Sequence, residues 1–264
     1  MKKVLKAVGL GILYLLVFEV VQVMVTMMAS LVIAFLHPYD YTSTVYSYIN
    51  LIGALADFVC IGALVFIIKI RGKSIKVETG IKAIDWKSAL ACLVGGIALV
   101  ILVNNILAML PIPDRVWEEY AESSMSLLAG PKWAQILFTV IAAPLCEEIV
   151  FRGLVFNSCR KAMPQMAAVM VSALFFGIVH GQLLWISYAF ACGFFLAMAY
   201  CNTGSLLGCI LMHIGVNGFS QFAPETWDLT GWGWLIVSAI ILVGTYVIMR
   251  PVKAIYNETK EVEL

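Results

Sequence analysis

The chain has 264 residues, of which 62% are hydrophobic and only 12% charged, with a formal net charge of +1. That balance excludes a soluble globular protein and identifies an integral membrane protein. A net charge so close to zero offers nothing to nucleic acid, so membrane lipid is the surface the chain is expected to meet.

Spanning hydrocarbon takes about 20 apolar residues, and suitable runs fall at 8–36, 47–68, 88–110, 132–156, 166–181, 183–201, 204–223 and 232–249. They predict an all-α, polytopic fold of about eight transmembrane helices. The basic start "MKKVLKAVGL" has the head of a signal peptide. The apolar run continues past Glu19 to about Leu36 with no small-residue cleavage site, so it reads as a retained first span. Lys and Arg set the orientation because cytoplasmic loops collect them. Lys2, Lys3 and Lys6, then Lys69, Arg71, Lys73, Lys76, Lys82 and Lys87, then Arg160 and Lys161, then Arg250, Lys253 and Lys260 fall on one side; Arg115 and Lys132 fall on the other. Both termini are predicted to be cytoplasmic. The basic loop between the second and third spans needs no explanation beyond this topology signal. The outer segment 111–133 reads as an ordinary solvated loop, with cover for a substrate entrance as the alternative. Seven scattered cysteines lack metal-type spacing and read as small packing residues. Glu19 and Asp57, inside the first two spans, read as polar groups bonded to neighbouring helices or facing a cavity. The whole of 1–264 reads as one transmembrane domain: 1–131 holds three spans and their loops, 132–223 the core bearing the chemistry, and 224–264 the last span and tail.

The fourth span is the costly one. In "IAAPLCEEIVFRGLVF" an apolar run carries Glu147, Glu148 and Arg152. Each charge near a helix centre costs about 2.5–3.5 kcal/mol on the insertion scale, so something must compensate. Glu148 and Arg152 are four apart and stack on one helix face in the favourable acid-first order. Glu147 lies about 100° around the helix and is the less well partnered carboxylate. A buried ion pair that merely locks helices together is the plain alternative, but packing alone does not require a second carboxylate.

Of three histidines, His37 belongs to an outer loop, while His180 and His213 interrupt apolar runs. His180 shares a helix face with Phe176, and His213 with Asn217, each pair being four apart. A turn near Pro164 puts Glu147 and His180 at equal distances on either side, hence at equal height in an antiparallel hairpin. His213 falls near mid-bilayer by the same arithmetic. The tripeptide "HGQ" then reads as a sharp turn, tolerated because it lines a polar cavity. Such a cluster suits hydrolysis by water. Glu147 takes the proton as general base, His180 orients the water, and His213 and Asn217 donate to the oxyanion that develops on a scissile carbonyl. Glu148 and Arg152 support the site.

The motifs E-E-x-x-x-R (Glu147, Glu148, Arg152), F-x-x-x-H (Phe176, His180) and H-x-x-x-N (His213, Asn217), present in that order, resemble the CAAX-protease and bacteriocin-processing (CPBP, Abi) intramembrane endopeptidase family. The resemblance covers about residues 140–220. It implies an all-helical membrane peptidase in which the first glutamate and first histidine activate water and the second histidine and asparagine form the oxyanion hole. The implied partner is a peptide or the C-terminus of a protein. Family members trim prenylated C-termini or serve peptide maturation and bacteriocin self-immunity; a multi-pass protein of a bacterial plasma membrane is the expectation here. A non-catalytic scaffold or immunity protein and a proton-coupled transporter are the competing readings, the latter without any half-to-half repeat. Glu147, His180 and His213 would also make three ligands of a catalytic zinc. Against zinc, H-E-x-x-H is absent and Arg152 would oppose a divalent ion, so no cofactor is expected.

Overall fold

The computed structural model describes residues 2–223, 227 and 229–249. The described residues form helices and no strand: α1 (Lys2–Leu36), α2 (Tyr41–Ile70), α3 (Ile75–Thr79), α4 (Trp86–Met109), α5 (Asp114–Met125), α6 (Lys132–Arg160), α7 (Gln165–Ile178), α8 (Leu183–Thr203), α9 (Leu206–Phe222) and α10 (Trp232–Ile248). Five of them, α1, α2, α4, α6 and α8, are long and apolar enough to cross a membrane, while α7, α9 and α10 are apolar but shorter. The chain is an all-α, multi-pass membrane protein. Each apolar run of the sequence corresponds to one of these eight helices. The basic residues expected after the last span, Arg250, Lys253 and Lys260, lie outside the described residues.

The differences from the sequence reading have local causes. Helices α1 and α2 start several residues before their apolar runs, because nothing in "KKVLKA" or "YTSTVY" breaks a helix at the interface. Segment 111–133 is not a solvated loop. It contains α5, whose acidic Asp114, Glu118, Glu119 and Glu122 are exposed while Val116, Trp117 and Tyr120 turn inward. Tyr120 meets Trp117 and Trp185 edge-on, with ring centroids 6.1 and 5.9 Å apart. Asp57 is buried and accepts from Gln22 Nε2 at 2.6 Å, as a polar group bonded to a neighbouring helix should. Glu19 does not: it is exposed, because it lies off the α1 face whose buried residues are Ala7, Gly11, Tyr14 and Phe18.

Two packing features position the site. Helices α4 and α9 approach so closely that a Cβ on Gly96 would lie 2.0 Å from the Met212 carbonyl oxygen, and one on Gly215 would lie 2.3 Å from that of Leu93. Small residues permit such backbone contact between membrane helices, and this one fixes the height of α9, with His213 on it. On the side of the basic loop, buried polar contacts tie α3 to the bundle. Asn157 Nδ2 donates to the Glu78 carbonyl (3.1 Å) and to Tyr200 Oη (2.9 Å), Tyr200 Oη donates to the Thr79 carbonyl (3.3 Å), and Leu206 N donates to Gly80 (3.2 Å).

Candidate active site

Helix α6 is not a uniform α-helix. It widens into π turns over Leu137–Ala142 and Ile149–Phe156, a form that often marks functional sites. The first widening follows from Pro144. In α geometry its ring would press on the carbonyl four residues earlier, whereas here Ala143 N already bonds five residues back, to Phe138 O. The next bond of that series would join residue 144 to Thr139 O, and proline has no N–H to make it. Asn217 Nδ2 takes the vacant place, donating to Thr139 O at 2.8 Å. The asparagine of the third motif is thus held by a carbonyl that Pro144 leaves unpaired.

The adjacent glutamates part company on burial. The Glu148 side chain is 0% exposed and that of Glu147 is 19% exposed. Glu148 Oε1 accepts from Arg152 Nη1 at 2.7 Å and from His213 Nδ1 at 2.8 Å. Arg152, also fully buried, donates from Nη2 to the Gly193 carbonyl at 2.9 Å, and its guanidinium lies 4.4 Å from the Phe176 ring centroid. Phe176 packs edge-on against both histidines, at 5.0 Å from His180 and 5.8 Å from His213. It therefore joins the ion pair to the imidazoles.

Hydrogen-bond partners assign the histidine tautomers. His180 Nδ1 faces the Phe176 carbonyl at 2.7 Å, and a carbonyl only accepts, so Nδ1 carries the proton and Nε2 keeps its lone pair. His213 Nδ1 likewise donates to the Glu148 carboxylate, leaving Nε2 3.8 Å from Glu147 Oε2. His180 itself sits in the turn between α7 and α8, where Gly181 takes a positive φ of 77°. With only fourteen residues, α7 is about 21 Å long, shorter than a hydrocarbon core about 30 Å thick. Gln182 caps α8 through its side-chain oxygen and donates to the Val116 carbonyl of α5.

Glu147, Phe176, His180, His213 and Asn217 all line one cavity of about 450 Å³. Glu148 and Arg152 stand behind its wall. Sequence reasoning missed Tyr120, Ser124, Trp185 and Tyr188, which also line it; the aromatic face of α5 was the available signal. Among the described residues, no three His, Cys, Asp or Glu side chains are spaced to hold a metal ion. His180 and His213 each commit Nδ1 to a hydrogen bond and leave Nε2 free, so Glu147, His180 and His213 remain the side chains a zinc ion would use.

A family model falls on the same stretch. Residues 129–219 match the family model described as "Rce1-like: Type II CAAX prenyl endopeptidase Rce1-like", the family the three motifs resemble. Over 84 residues the chain is 32% identical to "Putative membrane peptidase YdiL" of Bacillus subtilis (strain 168), covering 32% of this chain and 34% of that protein. It is 33% identical over 90 residues to "Membrane-embedded CAAX protease MroQ" of Staphylococcus aureus (strain USA300), covering 32% and 36%. An uncharacterized protein of Mycoplasma capricolum is 38% identical over 86 residues, covering 31% and 25%. The match spans about a third or less of the length of these curated relatives. No solved structure matches.

Proposed function

We propose that this chain is an intramembrane endopeptidase that hydrolyses a peptide bond with water activated by Glu147. The observation that carries the reading is the convergence of a water-accessible carboxylate, two imidazoles and an asparagine amide on one cavity at membrane depth. A water held between Glu147 and the His180 Nε2 lone pair loses its proton to Glu147. The resulting hydroxide adds to the scissile carbonyl carbon, and the oxygen that becomes an oxyanion receives hydrogen bonds from Asn217 and from His213 Nε2. Asn217 has one N–H committed to Thr139 and a second to give. For His213 to donate from Nε2 its ring must gain a second proton during the reaction, with Nδ1 still held by the Glu148 carboxylate that also contacts Arg152. Glu147 then returns its proton to the leaving amine, the C–N bond breaks, and a carboxylic acid and an amine remain, which become carboxylate and ammonium when the acid's proton passes to the amine. Every proton step runs through side chains of the chain itself, so the reaction needs no resident metal.

Purified full-length protein in lipid vesicles is assayed with quenched fluorogenic peptides. Glu147→Gln keeps the shape and removes the base, so turnover is expected to fall at least a thousandfold while the unfolding profile stays the same. Near-normal turnover by Glu147→Gln rules out the assignment. Dialysis against a strong chelator is expected to leave activity unchanged; loss of activity together with stoichiometric zinc, reversed on its return, would establish a metalloprotease instead.

A further inference from the structure

The cavity is open at one end. Its floor is Glu147 and His213, and beneath them lie the fully buried Glu148–Arg152 pair and then the Asn157–Tyr200–Thr79 contacts that tie α3 across the bundle. From that floor the wall rises along α6 to Phe138, about 14 Å at 1.5 Å per residue. On the facing helix, α9, it rises from His213 to Gln221. Its rim is built by Tyr120, Ser124, Leu127 and Leu128, all from the connection between α4 and α6. The mouth therefore lies on the face of that connection, opposite the basic loop 71–85. The connection side carries Arg115 and Lys132, while the other side carries Lys69, Arg71, Lys73, Lys76, Lys82 and Lys87, and the basic side is cytoplasmic.

The wall suits an extended chain. A peptide strand at membrane depth must find partners for its backbone N–H groups, because no bulk water supplies them. Ser124 donates its hydroxyl proton to the Tyr120 carbonyl, Thr139 to that of Gln135, and Ser220 to that of Val216. With their protons committed to their own helices, what these three hydroxyls can still offer a peptide is a lone pair, an acceptor for an N–H donor. Between them stand apolar surfaces, Leu127, Leu128, Phe138 and Trp185. A volume of about 450 Å³ lies within the range of about 300–1,000 Å³ typical of pockets that enclose a small ligand. It takes a few residues and not a folded domain.

The geometry points to a substrate that is an extended peptide segment with apolar side chains, presented at the extracytoplasmic face of the membrane and threaded down beneath α5 to Glu147. This rests on the peptidase reading. The substrate is thus a peptide already exported across the membrane, or the outer flank of another membrane protein.

The test combines labelling, which needs no activity, with a sided assay. Ser124→Cys, or Glu122→Cys on the exposed face of the same helix should Ser124→Cys fold poorly, is expressed in intact cells beside Ser74→Cys of the basic loop. Each is treated with a membrane-impermeant maleimide before and after permeabilisation, with the wild-type chain as background. The α5 cysteine is expected to label at least fivefold above background before permeabilisation, and Ser74→Cys only afterwards. The reverse pattern overturns the proposal. A quenched peptide of alternating leucine and glycine is then supplied to right-side-out and inside-out vesicles, with Glu147→Gln as background. Cleavage is expected at least tenfold faster in right-side-out vesicles. Cleavage only in inside-out vesicles overturns the proposed access and leaves the peptidase reading standing. Correct labelling with no cleavage in either overturns the peptidase reading, and the substrate class with it.

Discussion

Replacing Arg152 by Met removes the charge and nearly preserves the volume, so it isolates what the guanidinium does. The carboxylate left behind is 0% exposed and its Oε2 has no partner among the described residues. Oε1 keeps only His213 Nδ1. Removing one member of a buried pair costs about 3–5 kcal/mol because the other charge stays buried and uncompensated. That is a fifth or more of the 5–15 kcal/mol typical of a native protein. The double variant Glu148→Gln/Arg152→Met no longer buries a lone charge and should be about 1–3 kcal/mol more stable than the sum of the single changes implies. Equilibrium unfolding in mixed micelles titrated with sodium dodecyl sulfate, followed by tryptophan fluorescence, measures all three. A single-variant loss under about 1 kcal/mol, or additivity within about 0.5 kcal/mol, would show that the pair is not the support described above.

Pro144→Ala supplies the N–H that Thr139 O lacks and so should evict the Asn217 amide. Turnover is expected to fall about 100–1,000-fold, the loss of one oxyanion donor, while stability stays within about 1 kcal/mol, since the helix gain of about 3 kcal/mol is opposed by lost ring burial of about 0.8 kcal/mol per methylene and a freer unfolded chain; peptide hydrolysis and micelle unfolding on one preparation check both. Gly96→Ala drives a methyl into the Met212 backbone and should cost about 1–3 kcal/mol and lower turnover through His213. Gly62→Ala, with nothing within 4 Å of the added carbon, should be neutral or stabilising; equal effects of the two alanines in unfolding would contradict the α4–α9 contact.

The helical runs and the polar residues inside them were legible because membrane interiors are severe: a charge or imidazole in an apolar span is too costly to go unnoticed. Spacing alone put Glu148 over Arg152 and His180 beside Phe176, since each pair is four apart. Other features left weaker traces. The π turns of α6 shift which carbonyl meets which N–H, and neither composition nor apolar run length reports that register; the one visible sign was a proline in mid-span. Helix α5 reads as a loop by charge content, yet Val116, Trp117 and Tyr120 repeat at helical spacing, and that weaker signal decided its structure. Glu19 was misjudged for the opposite reason: a sequence tells that a residue is polar and within a span, not whether a second helix covers it.

The paired glutamates then have a physical explanation. Adjacent residues on a helix point about 100° apart, so one cannot serve both the protein interior and a water-filled cavity. Glu148 points inward, where Arg152 makes its burial tolerable and where its Oε1 fixes the His213 tautomer. Glu147 points to the cavity and stays accessible to water, with His213 Nε2 3.8 Å away. The expensive guanidinium supports the second glutamate, the second glutamate orients the histidine, and the histidine faces the first glutamate. Loss of Arg152 should therefore disturb His213, which shares the Glu148 carboxylate with it, before it displaces the carboxylate that faces water.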